Sequence, residues 1–369
     1  MPKLIVTRLE DRAVPAFFLP ATYAAGEDTA GVINDLYDDP FGTRARTGDP
    51  TLASPYAVQF AADGSTRSTV GLGPAFAGGA RVASADVTGD GIDDLVVATG
   101  PGTPNLLRVY DGAAQAVTFE VRPFESAFTG GVYVSVGDVT GDRVADLVVT
   151  PDQGGGPRVR VYRGGSTAGS FTVFADFLGI DDANFRGGAR TAVGDVSGDG
   201  VGDIVVAAGF GGGPRVAVFA GGVLVFGPQR LFNDFFVFEP TLRNGVFVGA
   251  GDLDGDNRSD IFAAGGPGGG PRVLVLSGLG LVSNQVTVLA DFFAGDPNTR
   301  GGVRVTVKDL DGDTFADLVT GAGPGAGSGR ESLVQVFTGA TLRATGSPTP
   351  IRAANAFPDS YFTDGVFVG

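Results

Sequence analysis

The stretch "GDVSGDGVGDIVVAAGFGGGPRVAVF", residues 194–219, decides the fold. It places Asp195, Asp199 and Asp203 four residues apart and then continues into an apolar segment and a glycine–proline turn. Carboxylates repel one another, and gathering them beside a buried segment is unfavourable unless a cation or strong hydrogen-bond donors compensate the charge. The stretch therefore predicts either a set of metal ligands or a capped turn just before a buried strand.

The same acidic pattern recurs along the chain. Its first aspartate falls at Asp86, Asp138, Asp195, Asp252 and Asp309, at intervals of 52, 57, 57 and 57 residues. Self-similarity at a fixed period is the signature of a repeat architecture.

Each repeat predicts four short strands and no helix. A first strand such as "GGARTAVG" precedes the acidic segment, and a β-branched run such as "DIVV" follows it. A turn such as "GFGGGP" leads to a third strand ("RVAVFAGG"), and segments such as "VTVLADFF" supply a fourth. Four strands in a repeat of about 50 residues indicate the blade of a β-propeller.

The ends of the chain are out of phase with the repeats. "YAVQFAADG" at 56–64 and "STVGLGPAF" at 68–76 resemble third and fourth strands, whereas "TDGVFVG" at 363–369 resembles a first strand. Joining them in one blade predicts a ring of six blades, or of seven or eight if the chain is a fragment. No segment supplies the second strand of that blade. Residues 1–50 are predicted to be a leader and linker, and 51–369 the propeller.

The acidic segments predict up to five calcium sites. In each, side chains at positions one, three, five and nine and the carbonyl of position seven can converge on one ion, and oxygen-only ligands suit calcium. The candidate ligands are Asp86, Thr88, Asp90, Ile92 and Asp94; Asp138, Thr140, Asp142, Val144 and Asp146; Asp195, Ser197, Asp199, Val201 and Asp203; Asp252, Asp254, Asp256, Arg258 and Asp260; and Asp309, Asp311, Asp313, Phe315 and Asp317.

Two features rank these five segments. Ligand charge favours those that begin at Asp252 and Asp309, because each offers four carboxylates. Position six requires a positive φ, which glycine and asparagine accept more readily than Arg143 or Thr314. The segment at Asp138 is therefore predicted to bind most weakly. The alternative is that the side chains cap backbone amides without any metal.

Composition excludes several function classes. The net charge of −15 makes nucleic acid and anionic membranes poor partners. The chain has no cysteine and no histidine, so thiolate chemistry, Ser-His-Asp catalysis and the usual transition-metal ligands are absent. No stretch is apolar enough to span a membrane. We expect a monomer without catalytic residues.

Other motifs favour structural roles. Glycine-rich turns such as "GFGGGP" lack the lysine and helix of a phosphate-binding loop. Arg158, Arg215 and Arg272 follow the turn proline and are expected to pair with neighbouring acids. The phenylalanines are expected to pack between blades. Residues 222–244 are interpreted as a fourth strand with an inter-blade loop, or as a ligand surface.

The repeats "DVTGDGIDDLVVATGPG" and "DLDGDNRSDIFAAGGPGGGPRVLVL" resemble FG-GAP (VCBS-type) repeats, the units of the integrin α-chain propeller and of many bacterial surface proteins. The resemblance covers about 56–369 and implies calcium at the positions named above. Threonine or serine at position three of three segments departs from the family pattern, as do Arg143 and Thr314. "RLEDRAVPA" at 8–16 resembles a leader of exported planctomycete proteins, which implies an extracellular or cell-surface location.

Three functions remain open. The first is a non-catalytic calcium-binding propeller for adhesion or recognition at the cell surface, with a protein or polysaccharide ligand. The second is a carbohydrate-active enzyme similar to a polysaccharide lyase, against which the missing histidine counts. The third is a structural spacer module within a larger surface protein.

Overall fold

The computed structural model describes residues 22–26, 56–60, 66–76, 79–165, 171–325, 333–344, 348–355 and 365–369. Over these ranges the chain forms 24 strands in four-stranded antiparallel sheets arranged as a β-propeller. The all-β prediction and the four-stranded blade are confirmed.

The five repeats form five blades, each from four consecutive strands. The sequence analysis predicts six, because it adds a blade made from both ends of the chain. Blade one contains β4 (Ala80–Ala85), β5 (Asp94–Thr99), β6 (Leu107–Asp111) and β7 (Ala116–Val121). Blade two contains β8 (Val132–Gly137), β9 (Asp146–Pro151), β10 (Arg158–Tyr162) and β11 (Val173–Leu178). Blade three contains β12 (Ala189–Gly194), β13 (Asp203–Ala208), β14 (Arg215–Phe219) and β15 (Phe235–Phe236). Blade four contains β16 (Val246–Gly251), β17 (Asp260–Gly265), β18 (Arg272–Leu276) and β19 (Val288–Phe293). Blade five contains β20 (Val303–Lys308), β21 (Asp317–Ala322), β22 (Leu333–Phe337) and β23 (Arg352–Asn355).

A further sheet, here called the composite sheet, combines both ends of the chain. Its strand order is β24 (Val366–Val368), β1 (Thr22–Gly26), β2 (Tyr56–Phe60) and β3 (Thr66–Gly71). β1 pairs with β24 on one side and with β2 on the other, and so fills the place of the second strand. The sequence analysis leaves that place open, because it assigns residues 1–50 to a leader and linker.

Burial follows strand order within each blade. The second strand is buried on both faces, as in the six buried residues of β13, whereas the fourth strand is mostly exposed or half-buried, with one buried residue in β11. Second strands carry β-branched residues because both of their faces pack against neighbouring blades. One cluster, for example, joins Val148 and Val159 of blade two to Ile204 and Val206 of blade three.

Two short helices correct the prediction of a repeat without helices. α1 (Gly278–Val282) and α2 (Gly339–Ala344) connect the third and fourth strands of blades four and five. The Ser277 side chain caps α1 by accepting a hydrogen bond from the Gly280 amide at 3.2 Å. Within the ranges described above, neither helix has the length and apolarity needed to cross a lipid bilayer.

Candidate metal centre

Five acidic loops connect the first and second strands of the five blades. We number each loop from one to nine, and the loops run from 86 to 94, 138 to 146, 195 to 203, 252 to 260 and 309 to 317. Position nine is the first residue of the second strand in every blade. The loops therefore lie at one end of the blades, each next to a buried strand.

The aspartate at position nine fastens the loop to the blade. Asp203 is fully buried, and its Oδ2 accepts a hydrogen bond from the Ser197 amide at 2.7 Å. Its Oδ1 accepts a second bond from the Gly221 amide at 3.0 Å, beyond the end of the third strand. At Asp94, Asp146, Asp260 and Asp317, Oδ2 accepts from the amide of position two, and Oδ1 accepts from the amide of the glycine that follows the third strand.

The aspartate at position one organises the turn itself. In the third loop, Asp195 Oδ1 accepts from the amides of Gly198 and Asp199 at 2.6 and 3.0 Å, and its Oδ2 accepts from the Gly200 amide at 2.8 Å. The interpretation as a capped turn is thus correct for positions one and nine. It leaves open what compensates the remaining carboxylate charge.

The backbone at position six is left-handed in all five loops, as the sequence predicts. φ is +85° at Gly91 and Gly200, +68° at Arg143, +63° at Asn257 and +72° at Thr314. The turn therefore keeps the same geometry even where the residue type disfavours a positive φ. Backbone strain is concentrated at Arg143 and Thr314.

The last two loops bring three carboxylates together. Oxygen atoms of Asp252, Asp254 and Asp260 lie within 4.8 Å of one another. Oxygen atoms of Asp309, Asp311 and Asp313 do the same. These are the two loops that ligand charge favours. In the second and third loops, by contrast, the hydroxyl at position three donates to the first aspartate: Thr140 at 3.5 Å and Ser197 at 3.3 Å.

Burial makes the charge at position nine unfavourable. Loss of water raises the pKa of Asp146, Asp203 and Asp317 to about 6 and that of Asp260 to about 7. Carboxylates at other loop positions reinforce the rise at Asp260, where Asp254 and Asp256 both contribute. Within the residues that the structure describes, no arginine or lysine forms an ion pair with any of the five aspartates at position nine.

This donor set fits a hard divalent cation. Its atoms are carboxylate, hydroxyl and carbonyl oxygens, and clustered carboxylates with raised pKa values gain from a cation that replaces the missing water. In the last two loops the clustered carboxylates would hold the ion, which are those of Asp252, Asp254 and Asp260 and those of Asp309, Asp311 and Asp313.

Neighbouring loops are joined by the backbone. The amide at position eight donates to the carbonyl of the first aspartate in the preceding loop: Gly202 to Asp138 at 2.7 Å, and Ala316 to Asp252 at 2.6 Å. The same bond links the other consecutive pairs of loops, from Ala145 to Asp86 and from Ser259 to Asp195. A change in the conformation of one loop therefore affects the backbone hydrogen bond that joins it to the next loop.

Sequence reasoning missed the glycine that follows each third strand. Its amide binds the ninth aspartate, and a Cβ at Gly278 would lie 2.2 Å from the carbonyl oxygen of Ser259. A glycine recurs after every third strand, and this recurrence is the sequence signal that could have identified its role. The five glycines are Gly112, Gly164, Gly221, Gly278 and Gly339.

The other motifs have structural roles. Arg158 and Arg272 form bidentate pairs with an aspartate of the adjacent fourth strand, Asp176 at 2.6 and 2.7 Å and Asp291 at 2.8 and 2.7 Å. Arg215 pairs with Asp234. The predicted pairing with neighbouring acids is confirmed. Within 222–244, the fourth strand is the two-residue β15.

A family model agrees with the repeat. The FG-GAP-like repeat matches residues 86–149, from the first acidic loop to the second strand of blade two. This match confirms the resemblance to FG-GAP repeats for that part of the chain.

Several solved structures are similar to the chain. A functionally unknown protein from Desulfotomaculum acetoxidans is 11% identical, with a TM-score of 0.49, over 96% of this chain and 88% of that one. A protein from Lactobacillus plantarum is 12% identical, with a TM-score of 0.48, over 91% and 82%. Rhamnogalacturonan lyase YesW is 13% identical, with a TM-score of 0.40, over 79% of this chain and 54% of the lyase, so this chain spans about half of the lyase.

Proposed function

We propose that this chain is a calcium-binding FG-GAP-type propeller that recognises a protein or polysaccharide at the cell surface, without catalysing a reaction. The observation that carries the calcium proposal is the convergence of Asp252, Asp254 and Asp260 within 4.8 Å, beside a buried strand and without a cationic partner among the described residues. Oxygen ligands at this density suit calcium better than magnesium or zinc.

Calcium would have a structural role. It would neutralise the carboxylates of the loop and hold the turn from which the buried second strand begins. The backbone bonds between successive loops would then carry this ordering around the molecule. All five loops are proposed sites, with the loops at 252–260 and 309–317 the tightest and the loop at 138–146 the weakest.

The composite sheet is proposed to close the ring as a sixth blade. Two observations support this: β24 packs against β20 of blade five and against β4 of blade one, and β1 also contacts β4. A ring joined by strands from both ends of the chain holds the termini together and presents a rigid rim of loops.

An extracellular location fits the same proposal. The segment at 8–16 resembles the leader of exported proteins, and calcium outside cells is abundant enough to fill weak sites. Recognition without catalysis is supported by the absence of histidine from the sequence, which removes the commonest general base.

Thermal unfolding with calcium and with chelator tests the metal proposal. A ligand that binds only the folded state stabilises it by RT ln(1 + [L]/Kd), so calcium should raise the melting temperature markedly. Asp254→Asn combined with Asp311→Asn should shrink this rise and weaken calcium binding measured by calorimetry. Glu125→Gln with Glu239→Gln removes the same charge from exposed positions outside the loops and should leave the rise intact. Equal melting temperatures with calcium and chelator, with no heat of binding, would refute the metal proposal.

A second experiment tests recognition. The calcium-loaded protein is incubated with acidic polysaccharides, and both retention on the immobilised polymers and release of unsaturated sugar products are measured. Calcium-dependent retention without product supports recognition. Product formation at a rate above that of heat-denatured protein contradicts the non-catalytic proposal.

A further inference from the structure

Six side chains form a closed ring at the centre of the propeller, and we call it the central ring. Each is the second residue of an innermost strand, and arginine alternates with an aromatic residue around the molecule. Its members are Arg81, Tyr133, Arg190, Phe247, Arg304 and Phe367. None is more than 9% exposed.

The aromatic members touch one another. The ring centroids of Tyr133, Phe247 and Phe367 are 5.9–6.2 Å apart in all three pairs. Each pair is tilted or edge-to-face, the arrangement that aromatic rings prefer. Blade two, blade four and the composite sheet, which are not neighbours, therefore meet at one apolar centre.

Each guanidinium lies over its two aromatic neighbours. Arg81 is 4.0 Å from the Phe367 centroid and 5.1 Å from that of Tyr133. Arg190 is 3.7 Å from Phe247 and 5.5 Å from Tyr133. Arg304 lies 4.8 and 5.6 Å from Phe367 and Phe247 in the same way. The ring faces attract the cations, but this attraction does not replace a hydrogen-bonded counter-charge.

Arg81 of the central ring has a carboxylate counter-charge. Arg81 Nη2 donates to Asp152 Oδ2 at 2.9 Å, and Asp152 is only 5% exposed. Asp152 follows the second strand of blade two, where the other four blades have glycine. Those glycines are Gly100, Gly209, Gly266 and Gly323. An aspartate in place of the recurring glycine thus gives Arg81 a buried acidic partner.

Arg190 has no such partner. It is 4% exposed, and its Nε and Nη1 make no hydrogen bond within the described residues, nor does any carboxylate there pair with it. A buried donor without an acceptor is rare in folded proteins and points to a water or an ion. A buried cation without a counter-charge points to an anion.

We propose that Arg190 binds a small inorganic anion, such as chloride, at the centre of the propeller. The anion takes the role beside Arg190 that the Asp152 carboxylate has beside Arg81. It accepts a hydrogen bond from one of the two unpaired donors, Nε–H or Nη1–H, and neutralises the guanidinium between Phe247 and Tyr133. The site is separate from the acidic loops, because Arg190 lies near the start of β12 and the acidic loop follows the end of that strand.

Chloride dependence of stability tests the proposal in solution. Melting temperatures are measured with saturating calcium while sodium chloride replaces sodium gluconate at constant ionic strength. We expect a saturable rise of a few degrees for the native protein. Arg190→Met should abolish it. Arg243→Met removes an exposed arginine and the same charge, and should retain it. Equal chloride dependence in the native protein and Arg190→Met would overturn the proposal, because the effect would then be a general salt effect.

A crystallographic measurement keeps the test independent of how the variant folds. Crystals of the native protein grown in sodium bromide should show an anomalous scattering peak within hydrogen-bond distance of the Arg190 guanidinium. Such a peak supports the site directly. Water or empty density beside Arg190 at saturating bromide refutes it, whatever the melting temperatures show.

Discussion

At the scale of single residues, Thr314 is the most strained position of the acidic loops. It is β-branched and holds φ at +72°, a conformation that disfavours L-residues by roughly 1–2 kcal/mol. Asparagine tolerates this conformation, and Asn257 occupies the same position in the preceding loop at +63°. We expect Thr314→Asn to raise the free energy of unfolding by about 1 kcal/mol, measured by urea denaturation with saturating calcium.

The matched control is a substitution in the opposite direction. Gly200 has φ of +85°, and nothing lies within 4 Å of the place where a Cβ would be added. Gly200→Ala therefore changes only the backbone preference and should destabilise the protein by about 1 kcal/mol. An unchanged stability of both variants would show that position six does not need its left-handed conformation.

Some residue roles can be read from the sequence, and others cannot. The turn residues and the candidate ligands are predictable because they interact within nine consecutive positions. The second partner of Asp203 is the Gly221 amide, eighteen residues further on, so no local pattern reports it. Arg190 is similar, because its surroundings come from side chains on two other blades.

At the scale of elements, arginine–aspartate pairs join third and fourth strands. Arg272 and Asp291 are bidentate, but their side chains are 31% and 40% exposed, so solvent and salt screen the attraction. We expect Arg272→Met to lower the free energy of unfolding by about 1 kcal/mol or less at low salt, and by less at high salt. A loss of several kcal/mol in urea denaturation at high salt would show that the pair fixes the fourth strand.

The acidic loops predict an unusual pH dependence in metal-free buffer. The folded pKa values of about 6 at Asp146, Asp203 and Asp317 and about 7 at Asp260 exceed the unfolded value near 3.9. Between about pH 4 and 7 the folded protein binds protons that the unfolded chain has released. Its free energy of unfolding should therefore fall as the pH rises through this window and level off near pH 8.

Melting temperatures measured in metal-free buffer at pH 5, 6, 7 and 8 test whether stability falls as the pH rises. Asp260→Asn removes the group with the highest of the four pKa values. It should therefore reduce the fall in melting temperature between pH 6 and 7. Saturating calcium should remove most of the fall, because the ion displaces the protons. Stability that increases from pH 5 to 8 in metal-free buffer would contradict the raised pKa values.

Elements differ in how far the sequence predicts them. The strands of each blade are predictable because turn residues and β-branched runs repeat five times. β1 is not, because Thr22–Gly26 lies far from the repeats and becomes a strand through pairing with β24 and β2. The helices α1 and α2 are missed for another reason: five or six residues are too few to show a helical period.

At the scale of the whole molecule, the blades meet in the central ring. Adjacent blades share clusters of buried side chains, and the acidic loops add one backbone bond from each loop to the next. The central ring differs from both, because Tyr133, Phe247 and Phe367 connect blade two, blade four and the composite sheet directly. β24 therefore contributes a side chain to the centre of the fold.

Phe367 tests how strongly β24 holds the centre of the fold together. It is 5% exposed, contacts Tyr133 and Phe247, and carries the Arg81 guanidinium 4.0 Å above its ring. Phe367→Ala opens a cavity at the centre and removes the cation–π contact, so the free energy of unfolding should fall by about 3–5 kcal/mol. Phe226→Ala is the control, because Phe226 is 84% exposed and its substitution should change stability by less than about 0.5 kcal/mol.

If β24 only flanked the other blades, Phe367→Ala would resemble the control, and the urea unfolding transition would keep its midpoint. A single transition displaced to lower urea would instead show that the two ends of the chain hold all blades in one cooperative unit.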